Sequence, residues 1–138
     1  MNLTEKENEI IEDFAIYDDW MEKYEYIIEL GKDLPKIKDE YKVKNNIIVG
    51  CQSQVWLYAE KVDGLIIYTA EADAIIAKGI ISLLIQVLSN ETPETILDSK
   101  LDFIKEIGLQ EHLSPTRSNG LVAMVNKMKI YALALKNK

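Results

Sequence analysis

The sequence has only one cysteine, Cys51, and one histidine, His112, in 138 residues. A single thiol cannot form a disulfide within its own chain, and one cysteine with one histidine cannot complete a zinc site. Cysteine proteases need a base beside the thiol, and disulfide oxidoreductases use a second cysteine, so the sequence disfavours both classes. Cys51 is therefore an inert core residue, a nucleophile or a carrier of a group bound to sulfur.

Basic residues are also scarce, because 16 lysines and arginines stand against 23 aspartates and glutamates and leave a net charge of −7. Such a field repels phosphate backbones, so we expect no nucleic-acid partner. The most apolar stretch, residues 72–88, is interrupted by Asp73, Lys78 and Gln86. It predicts a buried helix, and we expect no membrane span.

No signal peptide is visible at the N-terminus, which lacks an apolar core segment. A cysteine kept free in an unexported protein is typical of a reducing compartment, so we expect a cytoplasmic location. The hydrophobic fraction of 48% and the charged fraction of 28% are those of an ordinary globular protein. The length predicts a single domain over residues 1–138.

Helix-capping patterns divide the chain into several helices. Thr4 and Glu7 have the spacing of a capping box that opens a first helix, and Asp18 or Asp19 is placed to cap a second one. Gly31 suits the end of the second helix. Three later caps predict further helices: Asp73, Thr92-Pro93 and Ser114-Pro115. Asn90 and Gly108 suit the ends of later helices.

Between the second and third helices, the pattern changes to that of strands. Residues 53–61 and 65–69 are rich in aromatic and β-branched side chains and flank Asp63-Gly64, a strong hairpin signal. Residues 47–49 are expected to add a third strand or to lead into the first. We therefore predict an α+β fold, in which a small antiparallel sheet of about three strands packs against several helices.

The neighbours of Cys51 suggest that it is more than a core residue, although a lone cysteine usually is one. Gly50 gives the backbone freedom to present a side chain from a loop or a strand edge. Gln52 and Ser53 are uncharged donors that can stabilise a thiolate or persulfide anion. His112 lies just before a predicted helix cap, so we interpret it as a structural residue hydrogen-bonded near that cap.

These features occur in a chain-wide pattern that resembles the SufE family of sulfur-acceptor proteins, which serve cysteine desulfurases in iron–sulfur cluster assembly. The most specific motif is Gly-Cys-Gln-Ser-Gln-Val-Trp at residues 50–56. The resemblance also covers the following segments, in this order: residues 20–31, Leu34-Pro35, residues 72–79, Thr92-Pro93 and residues 112–121.

The resemblance implies that Cys51 accepts sulfane sulfur as a persulfide from a SufS-like, pyridoxal-phosphate-dependent desulfurase, and stimulates that enzyme. The sulfur would then pass to a SufBCD-like iron–sulfur scaffold. On this interpretation the chain is not a stand-alone enzyme and has no cofactor of its own, because the pyridoxal phosphate belongs to the desulfurase. The family fold is α+β, similar to the IscU-type scaffold, with the cysteine on a loop at the edge of a small sheet.

By the same resemblance, Asp73 and Arg117 lie near the cysteine loop. We expect Arg117 to contact a carboxylate such as Asp73, or loop carbonyls, and so to shape the loop around Cys51. The alternative function is a SufE-like docking module that binds a desulfurase or another partner without carrying sulfur. An independent thiol enzyme, such as a peroxidase, is a weaker hypothesis because no basic residue flanks Cys51 in the sequence.

Overall fold

The structure, a computed structural model, describes residues 2–138. None of the helices in this range combines the length and the apolarity that a membrane-crossing segment needs. The helices and strands together confirm the predicted α+β class. In chain order they are α1 (Leu3–Ala15), α2 (Trp20–Gly31), β1 (Val55–Val62), β2 (Leu65–Ala72), α3 (Ile75–Leu88), α4 (Pro93–Asp98), α5 (Asp102–Glu106) and α6 (Pro115–Leu135).

The predicted hairpin is confirmed. Strands β1 and β2 pair antiparallel, with Val62 opposite Leu65 beside the turn. Asp63 and Gly64 both have positive φ, 52° and 82°, as a tight two-residue hairpin turn requires. Side chains alternate between buried and more exposed positions along β2, so one face of the hairpin packs against the core.

The prediction of about three strands is wrong for the described residues, because the sheet has two strands. Ile47 forms only an isolated bridge with Trp56, and the Ile48 N–H donates to the Val55 carbonyl at 2.8 Å. The chain then leaves the sheet at Gly50, whose φ of 106° turns the backbone away from β1. Residues 47–49 were predicted either to form a third strand or to lead into the first, and the structure shows the second alternative.

Three of the predicted helix caps are confirmed. The Asp19 carboxylate accepts from the N–H of Glu22, Thr92 caps α4, and the Ser114 hydroxyl caps α6, each of the last two preceding a proline. The other caps differ from the prediction. Asn2 and Glu5, and not Thr4 and Glu7, form the capping box of α1, and Ala74, and not Asp73, is the N-cap residue of α3.

Helix α3 lies at the centre of the core and packs most closely on α2. A Cβ atom at Gly79 would lie 2.7 Å from the carbonyl carbon of Ile27, so only glycine permits this approach of the two backbones. The Ser82 hydroxyl donates to the Leu30 carbonyl at 2.8 Å inside the same contact. Gly31, predicted to suit the end of the second helix, is the last residue of α2, and it faces Gly79 of α3.

We expect Gly79→Ala to destabilise the protein by about 3 kcal/mol or more, because the added methyl group forces α2 and α3 apart. Urea denaturation would measure this as a lower free energy of unfolding. Gly64→Ala is the control, since a Cβ there meets no atom within 4 Å and is opposed only by the positive φ. Equal losses for the two variants would contradict the packing argument.

Candidate functional site

Cys51 lies on a short loop between the isolated bridge at Ile47 and the start of β1. Gly50 gives this loop its turn, and a Cβ at Gly50 would lie 3.3 Å from the Cβ of Ala123 in α6. The glycine therefore serves two needs, a positive φ and a close approach to α6. The loop holds Cys51 against the first turns of α6 and α3.

The thiol faces a cavity of about 330 Å³ between these two helices. A volume of this size admits several atoms beyond the cysteine sulfur itself. The cavity has one wall from the loop, one from the start of α3 and one from the start of α6. Its lining residues are Cys51, Gln52, Ser53, Ala74, Ala77, Ile80, Thr116, Arg117, Gly120 and Met124.

Cys51 is half-buried and weakly held. Its Sγ lies 3.7 Å from the carbonyl oxygen of Gly120, a contact that a neutral thiol makes as a donor. Burial raises the pKa of the Cys51 thiol above its usual value. The unmodified side chain is therefore mostly neutral at pH 7, which protects it from oxidation.

Other groups around the cavity favour a negative charge. The first turns of α3 and α6 both line it, and the N-terminus of a helix carries a partial positive charge. The N-cap residue of α3, Ala74, offers no side chain to those N–H groups. Arg117, an exposed residue that also lines the cavity, adds a positively charged side chain at its edge. An anion on sulfur would meet favourable electrostatics here.

Asp73 ties the end of the cysteine loop to the end of β2. Its Oδ1 accepts from the Gln54 N–H at 3.0 Å, and its own N–H donates to the Gln54 carbonyl at 3.1 Å. The carboxylate thus binds a loop amide and leaves the N-terminus of α3 uncapped, which is why the predicted cap is wrong. Its predicted place beside the cysteine loop is correct.

The predicted contact of the Arg117 side chain, with a carboxylate such as Asp73 or with loop carbonyls, is not found in residues 2–138. Within residues 2–138 the guanidinium makes no ion pair or hydrogen bond with Asp73; only the Arg117 backbone N–H is engaged, with the Ser114 hydroxyl. The Asp73 Oδ1 accepts from the Gln54 N–H instead. Arg117 instead lines the cavity beside Cys51.

Of the remaining predicted residues, Gln52 and Ser53 line the cavity, and Gly50 shapes the loop. Two cavity residues on α6 that the sequence analysis does not identify share a regular spacing with Arg117. Arg117, Gly120 and Met124 follow the spacing i, i+3, i+7 and so lie on one face of α6. Applied to the segment after Ser114-Pro115, that spacing would have identified the α6 wall.

His112 does not line the cavity. Its imidazole ring stacks on the indole of Trp20, and its Nδ1 lies 2.9 Å from the Gly108 carbonyl oxygen. The interpretation of His112 as a structural residue near the cap of α6 is therefore correct. Among the described residues, no histidine lines the Cys51 cavity, so the thiol has no imidazole base beside it.

Comparison with known proteins gives three findings. The model of the SufE family, described as an Fe-S metabolism associated domain, matches residues 8–132. An uncharacterised SufE-like protein of Rhizobium meliloti (strain 1021) is 38% identical over 128 residues, covering 88% of this chain and 91% of its own. The solution structure of a hypothetical protein from Thermus thermophilus matches with a TM-score of 0.80 at 21% identity, over 96% of this chain and 97% of its own.

We expect Cys51 in the folded protein to react with iodoacetamide more slowly at pH 7 than the same thiol in the urea-unfolded protein. Burial raises its pKa, so the thiolate fraction at pH 7 is smaller and the rate rises only at higher pH. A pH profile of the alkylation rate measures this midpoint. A folded midpoint at or below the unfolded one would show that the helix N-termini and Arg117 outweigh burial.

We expect Asp73→Ala to release the Gln54 amide and to cost about 1 kcal/mol of stability, the size of one lost hydrogen bond. Hydrogen exchange at the Gln54 N–H should become faster, whereas Asp73→Asn, which keeps an oxygen acceptor, should preserve most of the protection. Asp98→Ala removes a carboxylate from the end of α4, away from the cysteine loop, and is the control. Unchanged exchange in Asp73→Ala would contradict the role of the carboxylate.

Proposed function

The chain belongs to the SufE family, which is associated with Fe–S metabolism, and from this premise we propose that it carries sulfur as a persulfide on Cys51. The sulfur comes from a SufS-like cysteine desulfurase, which the chain stimulates by relieving it of its persulfide. It passes to a SufBCD-like scaffold for iron–sulfur clusters. The observation that carries the proposal is the half-buried Cys51 thiol facing a cavity of about 330 Å³.

The transfer step is a thiol exchange at the terminal sulfur of the partner's persulfide. The Cys51 thiolate attacks that sulfur, a new S–S bond forms on Cys51, and the S–S bond in the partner breaks to leave a partner thiolate. The proton lost from Cys51 goes to solvent, and no external oxidant or reductant is needed. A nucleophile on the acceptor then attacks the same terminal sulfur and releases the Cys51 thiolate.

The electrostatics of the cavity suit the loaded protein better than the unloaded one. A persulfide is a stronger acid than the thiol from which it forms, so the loaded Cys51 carries its charge at neutral pH. That charge lies on the outer sulfur, beyond the Cys51 Sγ and within the space lined by Arg117 and the first turns of α3 and α6. The same groups act on the neutral thiol only weakly.

Half-burial supports the storage of sulfur. An exposed low-pKa thiol or persulfide is open to oxidants and to competing thiols, and the cavity walls limit that access. The absence of a second cysteine from the sequence removes an internal thiol that would discharge the persulfide as hydrogen sulfide and a disulfide.

We further propose that the protein works in the cytoplasm, without nucleic acid, membrane or a cofactor of its own, and that pyridoxal phosphate stays on the desulfurase. The acidic balance of the chain, a net charge of −7, supports the absence of nucleic acid. The lone thiol supports a reducing compartment.

The second candidate function is a docking module that binds a desulfurase or another partner without carrying sulfur. Two exposed apolar side chains beside the cysteine loop favour it. Val49 is 89% exposed and Ile75 is 63% exposed, one in the loop before Cys51 and the other in the first turn of α3. A surface of this kind suits contact with another protein, with or without chemistry at Cys51.

Intact-mass measurement after incubation with a desulfurase and free cysteine separates the two functions. We expect the wild-type chain to gain the mass of one or more sulfur atoms, which dithiothreitol removes, because Cys51 accepts sulfane sulfur.

Cys51→Ser is the matched control and should gain no mass, since its hydroxyl does not form a persulfide. Sulfur addition to both proteins would place the acceptor elsewhere than Cys51. No addition to either protein, together with retained binding to the desulfurase, would support the docking module.

A further inference from the structure

His112 joins the segment before α6 to helix α2 through a ring stack. Its imidazole and the Trp20 indole have centroids 4.0 Å apart and planes inclined by 12°. Lys23 Nζ lies 5.0 Å from the centroid of the same indole, so the indole also has a cation nearby. Trp20 is the first residue of α2, and the stack therefore fixes the segment to the N-terminal end of that helix.

Two hydrogen bonds reinforce the stack. The Tyr24 hydroxyl, one turn further along α2, donates to the backbone carbonyl of His112. The His112 Nδ1 lies 2.9 Å from the Gly108 carbonyl oxygen, which orients the ring against the turn after α5. The His112 ring thus stacks on Trp20 and contacts the Gly108 carbonyl at its edge, and the His112 backbone accepts from Tyr24.

This anchor lies two residues before the N-cap of α6. Ser114 caps the helix with a bond from the Arg117 N–H, and Thr116, Arg117 and Gly120 of the next turns form the α6 wall of the Cys51 cavity. The Gly120 carbonyl is also the contact of the Cys51 Sγ at 3.7 Å. A shift of the first turn of α6 therefore moves the groups that face the sulfur.

Helix α2 is itself fixed to α3, which supplies the opposite wall. The close contact at Gly79 and the bond from Ser82 to the Leu30 carbonyl hold α2 and α3 in one register. The two cavity walls are thus connected through α2, by packed backbones on the α3 side and by the His112 stack on the α6 side.

We propose that His112 is a positioning residue for Cys51, and that its stack on Trp20 sets the place of Arg117 and the Gly120 carbonyl beside the sulfur. The inference rests on the proposed function, because it concerns the site that would hold the persulfide. His112 touches neither the sulfur nor the cavity, so it acts only through the first turn of α6.

The first test measures Cys51 in the isolated protein, without any desulfurase. We expect His112→Ala to raise the rate of Cys51 alkylation by a bulky maleimide about fivefold, on the scale of one aromatic pair. The pH midpoint of alkylation should also move, because Arg117 and the cavity walls no longer have a fixed position. Thermal unfolding of each variant reports stability separately.

Two variants distinguish positioning from a general loss of stability. His112→Phe keeps a ring on Trp20 and lacks the Nδ1 contact, and it should restore the wild-type rate and pH midpoint. Tyr41→Ala removes the stack between Tyr41 and Tyr58, whose centroids are 3.8 Å apart, and that pair does not line the cavity. It should leave the Cys51 rate unchanged.

If His112→Ala does not fold, Tyr24→Phe provides the measurement, with an expected rise in the Cys51 alkylation rate of about twofold, the scale of a weakened neutral hydrogen bond.

A wild-type rate and midpoint in His112→Ala would overturn the proposal, as would an equal change in Tyr41→Ala. Failure of His112→Phe to restore the wild-type values would also overturn it, because the Nδ1 bond and not the stack would then be the positioning contact.

A second measurement loads each variant with sulfur from inorganic polysulfide and follows the loss of that sulfur from Cys51 by intact mass. We expect faster loss from His112→Ala than from the wild type. If a desulfurase transfers no sulfur to the wild type, the proposed function fails while the alkylation result still decides the role of His112.

Discussion

The contact between α2 and α3 is the constraint on which the rest of the molecule depends. At Gly79 the two helices meet backbone against backbone, and no side chain larger than hydrogen fits between them. This contact places the first turn of α3 relative to α2, and α2 in turn anchors the segment that leads into α6 through Trp20 and Tyr24. Both helical walls of the Cys51 cavity are therefore set by a contact that itself lies outside the cavity.

Within that frame, the sulfur experiences two effects of opposite sign. Burial disfavours charge on the Cys51 thiol, whereas Arg117 and two helix N-termini favour charge deeper in the cavity. The balance between burial and these positive charges differs for the thiol and for the proposed persulfide, because the charge of a persulfide anion lies on the outer sulfur, one bond further out. On the proposed function, this site keeps the unloaded thiol mostly neutral and favours the anion of the persulfide.

Features coded by neighbouring residues could be predicted from the sequence, and features that depend on distant partners could not. The turn at Asp63-Gly64 and the caps at Thr92 and Ser114 need only local backbone geometry, and the structure confirms them. The predicted third strand does not form, because the chain turns at Gly50 after a single bridge at Ile47. Asp73 was correctly predicted to lie near the loop. Its carboxylate binds the Gln54 amide, and does not cap α3 or pair with Arg117, because β2 and the cysteine loop meet there. No local sequence pattern encodes that meeting.

The cysteine loop is fixed firmly at its two ends and hardly at all between them. Ile48 is hydrogen-bonded to Val55, and Gln54 is hydrogen-bonded to Asp73. Between residues 49 and 53 the described structure gives no backbone hydrogen bond to another element. Cys51 has only its weak sulfur contact with Gly120. Turning the loop outward thus breaks no bond of the sheet or of a helix. For the proposed sulfur transfer, the free-energy barrier to turning the loop outward is then mainly the exposure of one small side chain, and the helices and the sheet can stay in place.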